Sequence, residues 1–375
     1  MKITIVGTAY PLRGGIAHYN ALLYHELSRK HDVRVITFRR QYPSLLFPGK
    51  TQVETEGELM RVPSKALVDS VNPLNWINVG RMIRRDPPDL MIFKYWLPFF
   101  GPCFGTIARV AKRNTQTRVL YICDNVIPHE RRPGDRVFTR YAFGPADYFV
   151  VQSDAVERDL LQFWPQARYR NVPHPVYTMF GSAIERSQAR AALHITARHV
   201  LLFFGYVRRY KGLHILLDAL ARIDPALDLQ LLVVGEFYDD EEHYRRQIAD
   251  LRLGDHVRLV AEYVPNDQVH VYFSAADAVV LSYLSATQSG IAQIAYNFDV
   301  PVIATAVGGL REIVHDGVTG VVVPPNDAGA LARGIERFFR EQRESELRAH
   351  VRSEKLKYSW ENLSRAIEGL AEAGG

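Results

Sequence analysis

Short apolar runs alternate with stretches in which apolar residues recur at helical spacing, and this alternation continues along the whole chain. Each apolar run predicts a buried strand, and each amphipathic stretch predicts a helix. Strands separated by helices are typical of a parallel sheet covered by helices on both faces. The predicted strands are residues 2–7, 33–38, 90–93, 119–123, 146–152, 200–204, 229–234, 257–260 and 278–281. The predicted helices include residues 17–29, 73–85 and 213–223, with others that begin near Ser153, Ile291 and Leu331.

The length of the chain favours two domains. Its 375 residues, of which 47% are hydrophobic, are enough for two separate cores. His174 lies between Pro173 and Pro175, and the two prolines make this segment a stiff connector. A new strand is predicted beyond it, at residues 200–204. The first domain is therefore expected to end near Pro175.

The first residues, MKITIVGTAY, predict a strand and a turn, and no long apolar segment follows them. We expect neither a signal peptide nor a membrane-spanning helix, and therefore a cytoplasmic protein. Cys103 and Cys123 are the two cysteines, which are too few for a disulfide framework and lack metal-ligand spacing. We expect both to be reduced thiols packed in the interior.

Positive charge is concentrated in the first half of the chain. Residues 1–180 hold 25 Lys and Arg against 15 Asp and Glu, whereas the remaining residues hold 21 against 26. A basic half can contact a membrane surface, a nucleic acid or a phosphorylated substrate, or it can simply carry solvated basic faces. The sequence has no nucleic-acid-binding motif and no basic run interleaved with stacking aromatics, so we expect no nucleic-acid partner.

Two apolar segments of the first half could contact a membrane or bind a lipid. Residues 73–85 combine Trp76 with three arginines, which would suit an anionic bilayer surface, although a core helix with a basic outer face fits equally well. Residues 95–110 are too short and too interrupted by proline and glycine to span a membrane. They could line an acceptor site for a lipid, or form a buried helix.

The loop GYVRRYKG after the strand at residues 200–204 carries two candidate binding residues, Arg208 and Lys211. Both lie above a strand end, where α/β sheets hold ligands. Two cations at this place suit a diphosphate, because charge-assisted contacts to phosphate are among the strongest polar interactions. The alternative is that both are solvated surface charges.

The loop at residues 285–290 is small and polar, and it opens a predicted helix. Backbone N–H groups at a helix start are unpaired and can bind a phosphate. Thr287 and Ser289 supply hydroxyl groups, and Gly290 permits close approach. Ordinary capping of the helix by serine or threonine is the alternative.

The segment PVIATAVGGLREIVHDGVTGVVVPPND, residues 301–327, places a β-branched run before a Gly-Gly loop, a short helix and a glycine-marked turn. It resembles the C-terminal half of family-four glycosyltransferases of the GT-B fold, and the resemblance covers nearly the whole chain. It implies an α/β protein whose two Rossmann-like domains face each other across a cleft. The expected domains are an N-terminal acceptor-side domain, residues 1–175, joined by a crossing C-terminal helix, residues 357–375, and a C-terminal nucleotide-sugar-binding domain, residues 176–356.

The resemblance also implies the donor-binding residues. In the family, an arginine and a lysine hold the nucleotide diphosphate, the main chain after one strand contacts the nucleobase, and a glycine loop faces the donor. Gly14 and Gly15 match that loop, although with Gly7 they do not form the dinucleotide pattern G-x-G-x-x-G, and their spacing alone fits a plain turn equally well. The implied set is Gly14, Gly15, Arg208, Lys211, Tyr263, Val264, Thr287, Gln288, Ser289, Gly290, Ile291 and Gln293.

One departure from the family concerns a Glu-x7-Glu pair. Its positions fall at Thr287 and Ala295, so both acidic residues are missing, and the chain reads SATQSGI there as a subset of the family does. We hypothesise that Gln288, with Thr287, reaches the donor sugar and that Gln293 reaches the ribose, because an amide can both accept from and donate to hydroxyls. Gln293 could instead cap the helix or face solvent.

A second departure follows the strand at residues 119–123. The family usually has a histidine at the position of Asp124, and His129 is the nearest histidine that remains. His129 either faces the donor sugar or lies on a surface loop without a role. Asp124 and His129 are the catalytic candidates, and we expect them mainly to orient groups.

The resemblance implies a retaining, metal-independent hexosyltransferase that moves a sugar from a nucleotide diphosphate-sugar to a glycan or lipid-linked acceptor, such as a precursor of a cell-envelope polysaccharide. We expect no cofactor and no metal, because no carboxylate pair is placed to hold a cation. The enzyme is expected in the cytoplasm, with peripheral attachment to the inner face of an anionic membrane. The alternative is a non-catalytic GT-B homologue that binds a nucleotide or sugar as a partner subunit, which the missing Glu pair supports.

Overall fold

The computed structural model describes residues 1–43, 61–127, 132–238 and 240–373. The chain divides into two compact units: the first comprises Met1–Pro175 with Ser359–Gly375, and the second comprises Val176–Tyr358. Each unit is built on one sheet, and the strands of each sheet pair in parallel. The expected α/β fold with two Rossmann-like sheets is confirmed.

Among the described residues of the first unit, seven strands form the sheet, and five helices lie between successive strands. The strands are β1 (Lys2–Val6), β2 (Asp32–Arg40), β3 (Ser64–Asp69), β4 (Leu90–Tyr95), β5 (Arg118–Cys123), β6 (Tyr148–Val151) and β7 (Tyr169–Asn171). The helices are α1 (Gly15–Leu27), α2 (Pro73–Arg85), α3 (Gly101–Lys112), α4 (Asp135–Phe143) and α5 (Asp154–Phe163). The strand order is β3-β2-β1-β4-β5-β6-β7, so the order reverses at β1, as in Rossmann folds.

Six strands form the sheet of the second unit with the same reversal of order. The strands are β8 (His199–Phe204), β9 (Leu229–Val234), β10 (Val257–Val260), β11 (Ala278–Leu281), β12 (Val302–Thr305) and β13 (Gly320–Val323), in the order β10-β9-β8-β11-β12-β13. The helices are α6 (Arg186–Ala192), α7 (Leu213–Leu220), α8 (Glu241–Asp250), α9 (Val269–Ala275), α10 (Gly290–Asn297), α11 (Leu310–Ile313), α12 (Ala328–Arg340) and α13 (Glu344–Glu354). In such sheets ligands bind at the edge where the strands have their carboxyl ends, here called the carboxyl edge.

Local sequence fixes the starts of several helices where the pattern predicts them. The side chain of Asn72 accepts hydrogen bonds from the backbone N–H groups of Leu74 and Asn75, at 3.1 and 3.2 Å, and starts α2. Ser153 accepts from the N–H group of Val156 at 3.3 Å and starts α5. These caps satisfy N–H groups that have no partner within the helix.

Two strands of the first unit, β3 and β7, are not predicted by the apolar pattern. Both lie at the edges of the sheet. β3 reads SKALVD with two exposed positions, and β7 reads YRN with two exposed positions. An edge strand packs only part of its surface on the core, so its sequence lacks the apolar run that marks a central strand.

Residues 95–110 form part of the first core. Phe100, Phe104 and Ile107 are fully buried, and Phe100 stacks on Phe104 with ring centroids 5.6 Å apart. The buried-helix interpretation of this segment is confirmed. Cys103 and Cys123 are free and buried, and burial raises the pKa of both thiols.

The last helix, α14 (Trp360–Glu372), belongs to the first unit. Its first residue packs edge-on against Tyr19 of α1, with ring centroids 5.0 Å apart. Farther along, Glu368 pairs with His31 at 3.0 Å. Within the described part of the chain, no helix combines the length and the apolar character needed to cross a bilayer.

Candidate active site

At the carboxyl edge of the second sheet, β8 and β9 are each followed by a glycine with positive φ. Gly205 has φ 90° and Gly235 has φ 138°, values that residues with side chains rarely adopt. A Cβ added at Gly235 would lie 2.3 Å from the carbonyl oxygen of Gly205. The two loops therefore leave the sheet in direct contact, and only glycine permits this approach.

The loop between Gly205 and Gly212 is fixed to the end of β11. Gly212 has φ 68°, and a Cβ added there would lie 2.0 Å from the carbonyl oxygen of Ser282. The hydroxyl of Ser282 donates to the carbonyl oxygens of Lys211 and Gly212, each at 3.0 Å. The position of Lys211 is thus set by a residue that is distant in sequence.

Lys211 is a buried cation, with 8% of its surface exposed. Its Nζ lies 3.4 Å from where a Cβ at Gly205 would be, and 5.8 Å from the centre of the Tyr283 ring. Burial, together with the smaller effect of the nearby positive charge of Arg208, lowers the pKa of Lys211 to about 7. Because Lys211 is buried, it is not the solvated surface charge that the sequence left open as an alternative. Among the described residues, no carboxylate forms an ion pair with it.

Arg208 is exposed, in contrast to Lys211. Its guanidinium lies 4.8 Å from the centre of the Tyr238 ring, and Tyr238 packs on Tyr206 with ring centroids 4.5 Å apart. The neighbouring Arg209 lines a cavity of about 350 Å³ with His214, Asp240, His243 and Tyr244. The adjacent arginines therefore have different surroundings.

The start of α10 meets the same glycine loop. A Cβ at Gly205 would lie 3.1 Å from Cδ1 of Ile291, which brings Lys211, Gly205 and the first turn of α10 together. Ser289 is buried, and its hydroxyl accepts from the N–H group of Ala292 at 3.4 Å. Serine capping of this helix is therefore confirmed, and the predicted anion site at the helix start stays a prediction.

The loop VGG, residues 307–309, contacts the polar loop before α10. Gly308 has φ 40°, and a Cβ there would lie 1.6 Å from the carbonyl oxygen of Ala286. The hydroxyl of Thr305 donates to the carbonyl oxygen of Tyr283 at 2.6 Å. Thr287 and Gln288 are both partly exposed in the loop that these contacts hold.

Gln293 neither faces solvent nor caps the helix. It is fully buried, and neither its amide oxygen nor its amide nitrogen has a hydrogen-bond partner among the described residues. A buried amide without a hydrogen-bond partner lowers the stability of the folded protein. Because no part of Gln293 is exposed, a ribose could reach it only after neighbouring side chains move.

Tyr263 and Val264, the predicted base contacts, follow β10 at the carboxyl edge, and the Tyr263 hydroxyl donates to Asn266 at 3.3 Å.

In the first unit, Asp124 follows β5 at the carboxyl edge and pairs with Lys94 of β4, with Nζ and Oδ1 2.6 Å apart. Gly14 has φ 108° at the start of α1 and provides no capping side chain, and Gly15 begins that helix. His129 lies outside the described residues. The structure thus joins one of the two catalytic candidates to a lysine that the sequence reading missed.

Both halves of the chain match known family models. Residues 14–175 match a model described as a glycosyl transferase 4-like domain, and residues 198–341 match one described as glycosyl transferases group 1. The chain belongs to the glycosyltransferases. The family resemblance stated from the motifs is supported at this level.

Curated relatives of this chain include proteins named D-inositol 3-phosphate glycosyltransferase. The protein of that kind from Catenulispora acidiphila is 35% identical over 59% of this chain and 55% of its own length. The one from Salinispora arenicola is 28% identical over 69% of this chain and 56% of its own length. In both cases the match spans little more than half of the relative.

Solved structures of the same fold include two that align along the whole of this chain. HepE from Anabaena, in complex with UDP and glucose, has a TM-score of 0.78 at 18% identity and full coverage of both chains. Sucrose-phosphate synthase from Thermosynechococcus elongatus has a TM-score of 0.74 at 21% identity, covering 100% of this chain and 99% of the other. These likenesses establish the GT-B fold.

Proposed function

We propose that this protein is a retaining glycosyltransferase that moves a sugar from a nucleotide diphosphate-sugar to an acceptor. The buried ammonium of Lys211 carries the proposal. It lies at the carboxyl edge of a Rossmann-like sheet, beside a glycine loop and a helix start, and no carboxylate among the described residues neutralises it. A dianionic diphosphate supplies the missing negative charge.

Lys211, Arg208 and the first turn of α10 would stabilise the leaving diphosphate as negative charge develops on it. Fixed charges and backbone N–H groups act strongly in such a site because they need no reorganisation during the reaction. The leaving phosphate would itself take the proton of the acceptor hydroxyl. No strong general base is then required, which agrees with a carboxylate, Asp124, that is already paired with a lysine.

We also propose that the transfer needs no metal ion, because the same two cations can neutralise the leaving group. In many enzymes that act on diphosphates a divalent ion neutralises the leaving group. Here the side chains of Arg208 and Lys211 would take that role. UDP-glucose is the first donor to test, because HepE is recorded in complex with UDP-glucose.

The acceptor is proposed to be lipid-linked or a polysaccharide precursor, reached at an anionic membrane surface on the cytoplasmic side. The first 180 residues carry the excess of basic residues. α2 exposes Leu74 and α4 exposes Val137 and Phe138, and exposed arginines lie on both helices. Apolar side chains among basic ones suit such a surface. Flotation with anionic vesicles at low salt, without binding to neutral vesicles, would support this part.

The experiment is a panel of UDP-glucose, GDP-mannose and ADP-glucose, read by thermal shift and by release of the nucleoside diphosphate, with and without EDTA. One donor should stabilise the protein by mass action and be turned over equally well in EDTA. Arg208→Ala should lower the affinity for that donor by about tenfold to a hundredfold, the usual effect of losing a hydrogen bond to a charged group. Arg209→Ala is the matched control, since this neighbouring arginine has different surroundings from Arg208.

A second candidate is a non-catalytic partner subunit that binds the nucleotide or sugar. One observation favours it: the positions of the family's acidic pair are occupied by Thr287 and by Ala295, which is fully buried. Donor binding without any release of nucleoside diphosphate, with acceptor extracts present, would select this candidate. Wild-type donor use in Arg208→Ala and Lys211→Ala would contradict both, since each requires the diphosphate site.

A further inference from the structure

Arg208 and Lys211 are two cations of the same sign that lie near each other in the second unit. The charge of Arg208 contributes to the lowered pKa of Lys211. Lys211 is buried and its backbone is held by the hydroxyl of Ser282, whereas Arg208 is exposed. Repulsion by a fixed ammonium drives a flexible, exposed guanidinium outward into water. A further contact is therefore needed to keep the guanidinium of Arg208 close to Lys211.

The loop that carries Arg208 is joined to the loop after β9 as an extension of the sheet. The backbone N–H group of Val207 donates to the carbonyl oxygen of Glu236 at 2.8 Å, and the N–H group of Tyr238 donates to the carbonyl oxygen of Val207 at 3.0 Å. Val207 also pairs in parallel with Phe237. The backbone of Arg208 is extended, with φ −134° and ψ 149°. The two loops are therefore fixed to each other up to Arg208.

The side chains of this extension separate into an inner and an outer set. In extended backbone, successive side chains point to opposite faces. Val207 is fully buried and belongs to the core of the second unit, so Tyr206 and Arg208 on either side of it lie on the outer face. There the rings of Tyr206 and Tyr238 pack with centroids 4.5 Å apart, and the guanidinium of Arg208 lies 4.8 Å from the centre of the Tyr238 ring. Two rings and one guanidinium thus form a continuous stack.

The Tyr238 ring is suited to holding this guanidinium. A cation within about 6 Å of a ring centre is attracted by the negative face of the ring. Burial raises the pKa of the Tyr238 hydroxyl, so the ring belongs to a neutral phenol at physiological pH. Contact with a ring occupies no oxygen acceptor, and the N–H donors of Arg208 stay available to phosphate oxygens. A side chain that is already held in place loses less freedom when a ligand binds.

We propose that Tyr238 is a positioning residue whose ring holds the guanidinium of Arg208 beside Lys211 for a diphosphate, with Tyr206 supporting that ring. This inference rests on the proposed function. Tyr238 acts through Arg208 and does not itself need to touch the ligand. The alternative is that the two tyrosines only cover the ends of β8 and β9.

The test asks whether the effect of Tyr238 depends on Arg208. UDP, GDP and ADP are titrated by calorimetry into wild type, Tyr238→Leu, Arg208→Ala and the double variant, and the Kd of the tightest nucleotide is compared. Tyr238→Leu should raise this Kd by about threefold to fivefold, which corresponds to the loss of an exposed cation–π contact. In the Arg208→Ala background the same change should alter the Kd by less than about 1.5-fold, because the ring then has no guanidinium to hold.

Three further variants show which part of the stack matters. Tyr238→Phe keeps the ring and should bind within about 1.5-fold of wild type. Tyr206→Leu removes the ring that packs against Tyr238, so it should give a smaller loss than Tyr238→Leu and replaces that variant if it does not fold. Tyr141→Leu is the matched control, because Tyr141 of α4 also contacts an arginine, Arg109, at 4.0 Å, and it should leave the Kd unchanged. Melting curves check that each variant is folded.

Failure of the inference is distinguishable from failure of the proposed function. A folded Tyr238→Leu protein with the wild-type Kd, or an equal loss with and without Arg208, would overturn the inference alone, since Tyr238 would then not act through the arginine. A loss in Tyr238→Phe as large as that in Tyr238→Leu would assign the effect to the hydroxyl and would also overturn it. If wild type binds none of the three nucleotides, or Arg208→Ala binds as tightly as wild type, the diphosphate site and the inference are both wrong.

Discussion

Two buried lysines, one in each unit, occupy comparable places and differ in their partners. Lys94 lies near the end of β4 and Lys211 in a turn after β8, both at the carboxyl edge of a parallel sheet. Burial lowers the pKa of both. Lys94 has Asp124 at 2.6 Å, whereas the charged group that faces Lys211 among the described residues is Arg208, which has the same sign.

This difference separates two uses of a buried charge. A cation that already has a carboxylate beside it is satisfied, so it can hold that carboxylate in place. A cation without an anion is unsatisfied until a ligand provides one, so its burial strengthens binding of that ligand and weakens the empty protein. Removing the two charges should therefore change stability in opposite directions.

The largest expected effect is the loss of stability in Lys94→Met. This change leaves the Asp124 carboxylate without its ion-pair partner, and breaking a buried pair in this way costs about 3–5 kcal/mol. Urea unfolding followed by fluorescence measures the free energy of unfolding. The double variant Lys94→Met with Asp124→Asn should recover much of the loss. The control is Lys112→Met, which breaks the half-buried ion pair of Lys112 with Asp147. Equal losses of unfolding free energy in Lys94→Met and Lys112→Met would show that the buried pair contributes no more to stability than the half-buried pair.

Lys211→Met should have the opposite sign. The folded-state pKa is about 7, below the 10.5 of an unfolded lysine, so the unfolded chain binds more protons between these values and stability rises with pH across that window. Removing the charge should raise the free energy of unfolding below pH 7 by at least about 1.4 kcal/mol, the equivalent of one pKa unit. The gain should shrink toward pH 10. Destabilisation at pH 6 would mean that Lys211 has a partner.

A smaller effect is expected from the two glutamines near the start of α10. Gln288→Ala should lower the affinity for the donor by about threefold to tenfold, because Gln288 is partly exposed in the loop and can reach a sugar hydroxyl. For Gln293→Ala we expect a smaller effect on donor affinity, because the residue is fully buried, and an increase in stability, because two unpaired polar atoms are removed. Donor titrations and melting curves of both variants check this. Changes under about threefold in both would favour the non-catalytic candidate.

The central strands and the motif loops could be predicted from the sequence because their signals are local. β9, β10 and β11 were predicted at their observed bounds, and α2 was also predicted without error. The strand predicted at residues 90–93 extends to Tyr95, because the lysine that interrupts its apolar run is itself buried. That boundary error concealed Lys94, although a charge beside an apolar run was the signal that could have revealed it.

The burial of site residues could not be predicted, because it depends on residues far away in sequence. Lys211 is enclosed by contacts that involve Ser282, Tyr283 and Ile291, about seventy to eighty positions later. A loop rich in glycine and basic residues reads equally well as a solvated turn. The same holds for Gln293, whose helical position gives no indication that its amide is buried without a partner among the described residues.

The central claim is that the unneutralised charge of Lys211 binds the donor diphosphate, and the pH dependence of donor affinity tests it most directly. The measurement is the Kd of the nucleotide-sugar selected by the panel, by calorimetry from pH 6 to 9, for wild type and Lys211→Met. With a free-protein pKa of about 7, the wild-type Kd should be nearly constant below pH 7 and rise above it by up to about tenfold per pH unit. The variant should bind weakly at every pH and show no such slope. A wild-type Kd that does not change between pH 7 and 9, or a variant that binds as tightly as wild type at pH 6, would contradict the claim.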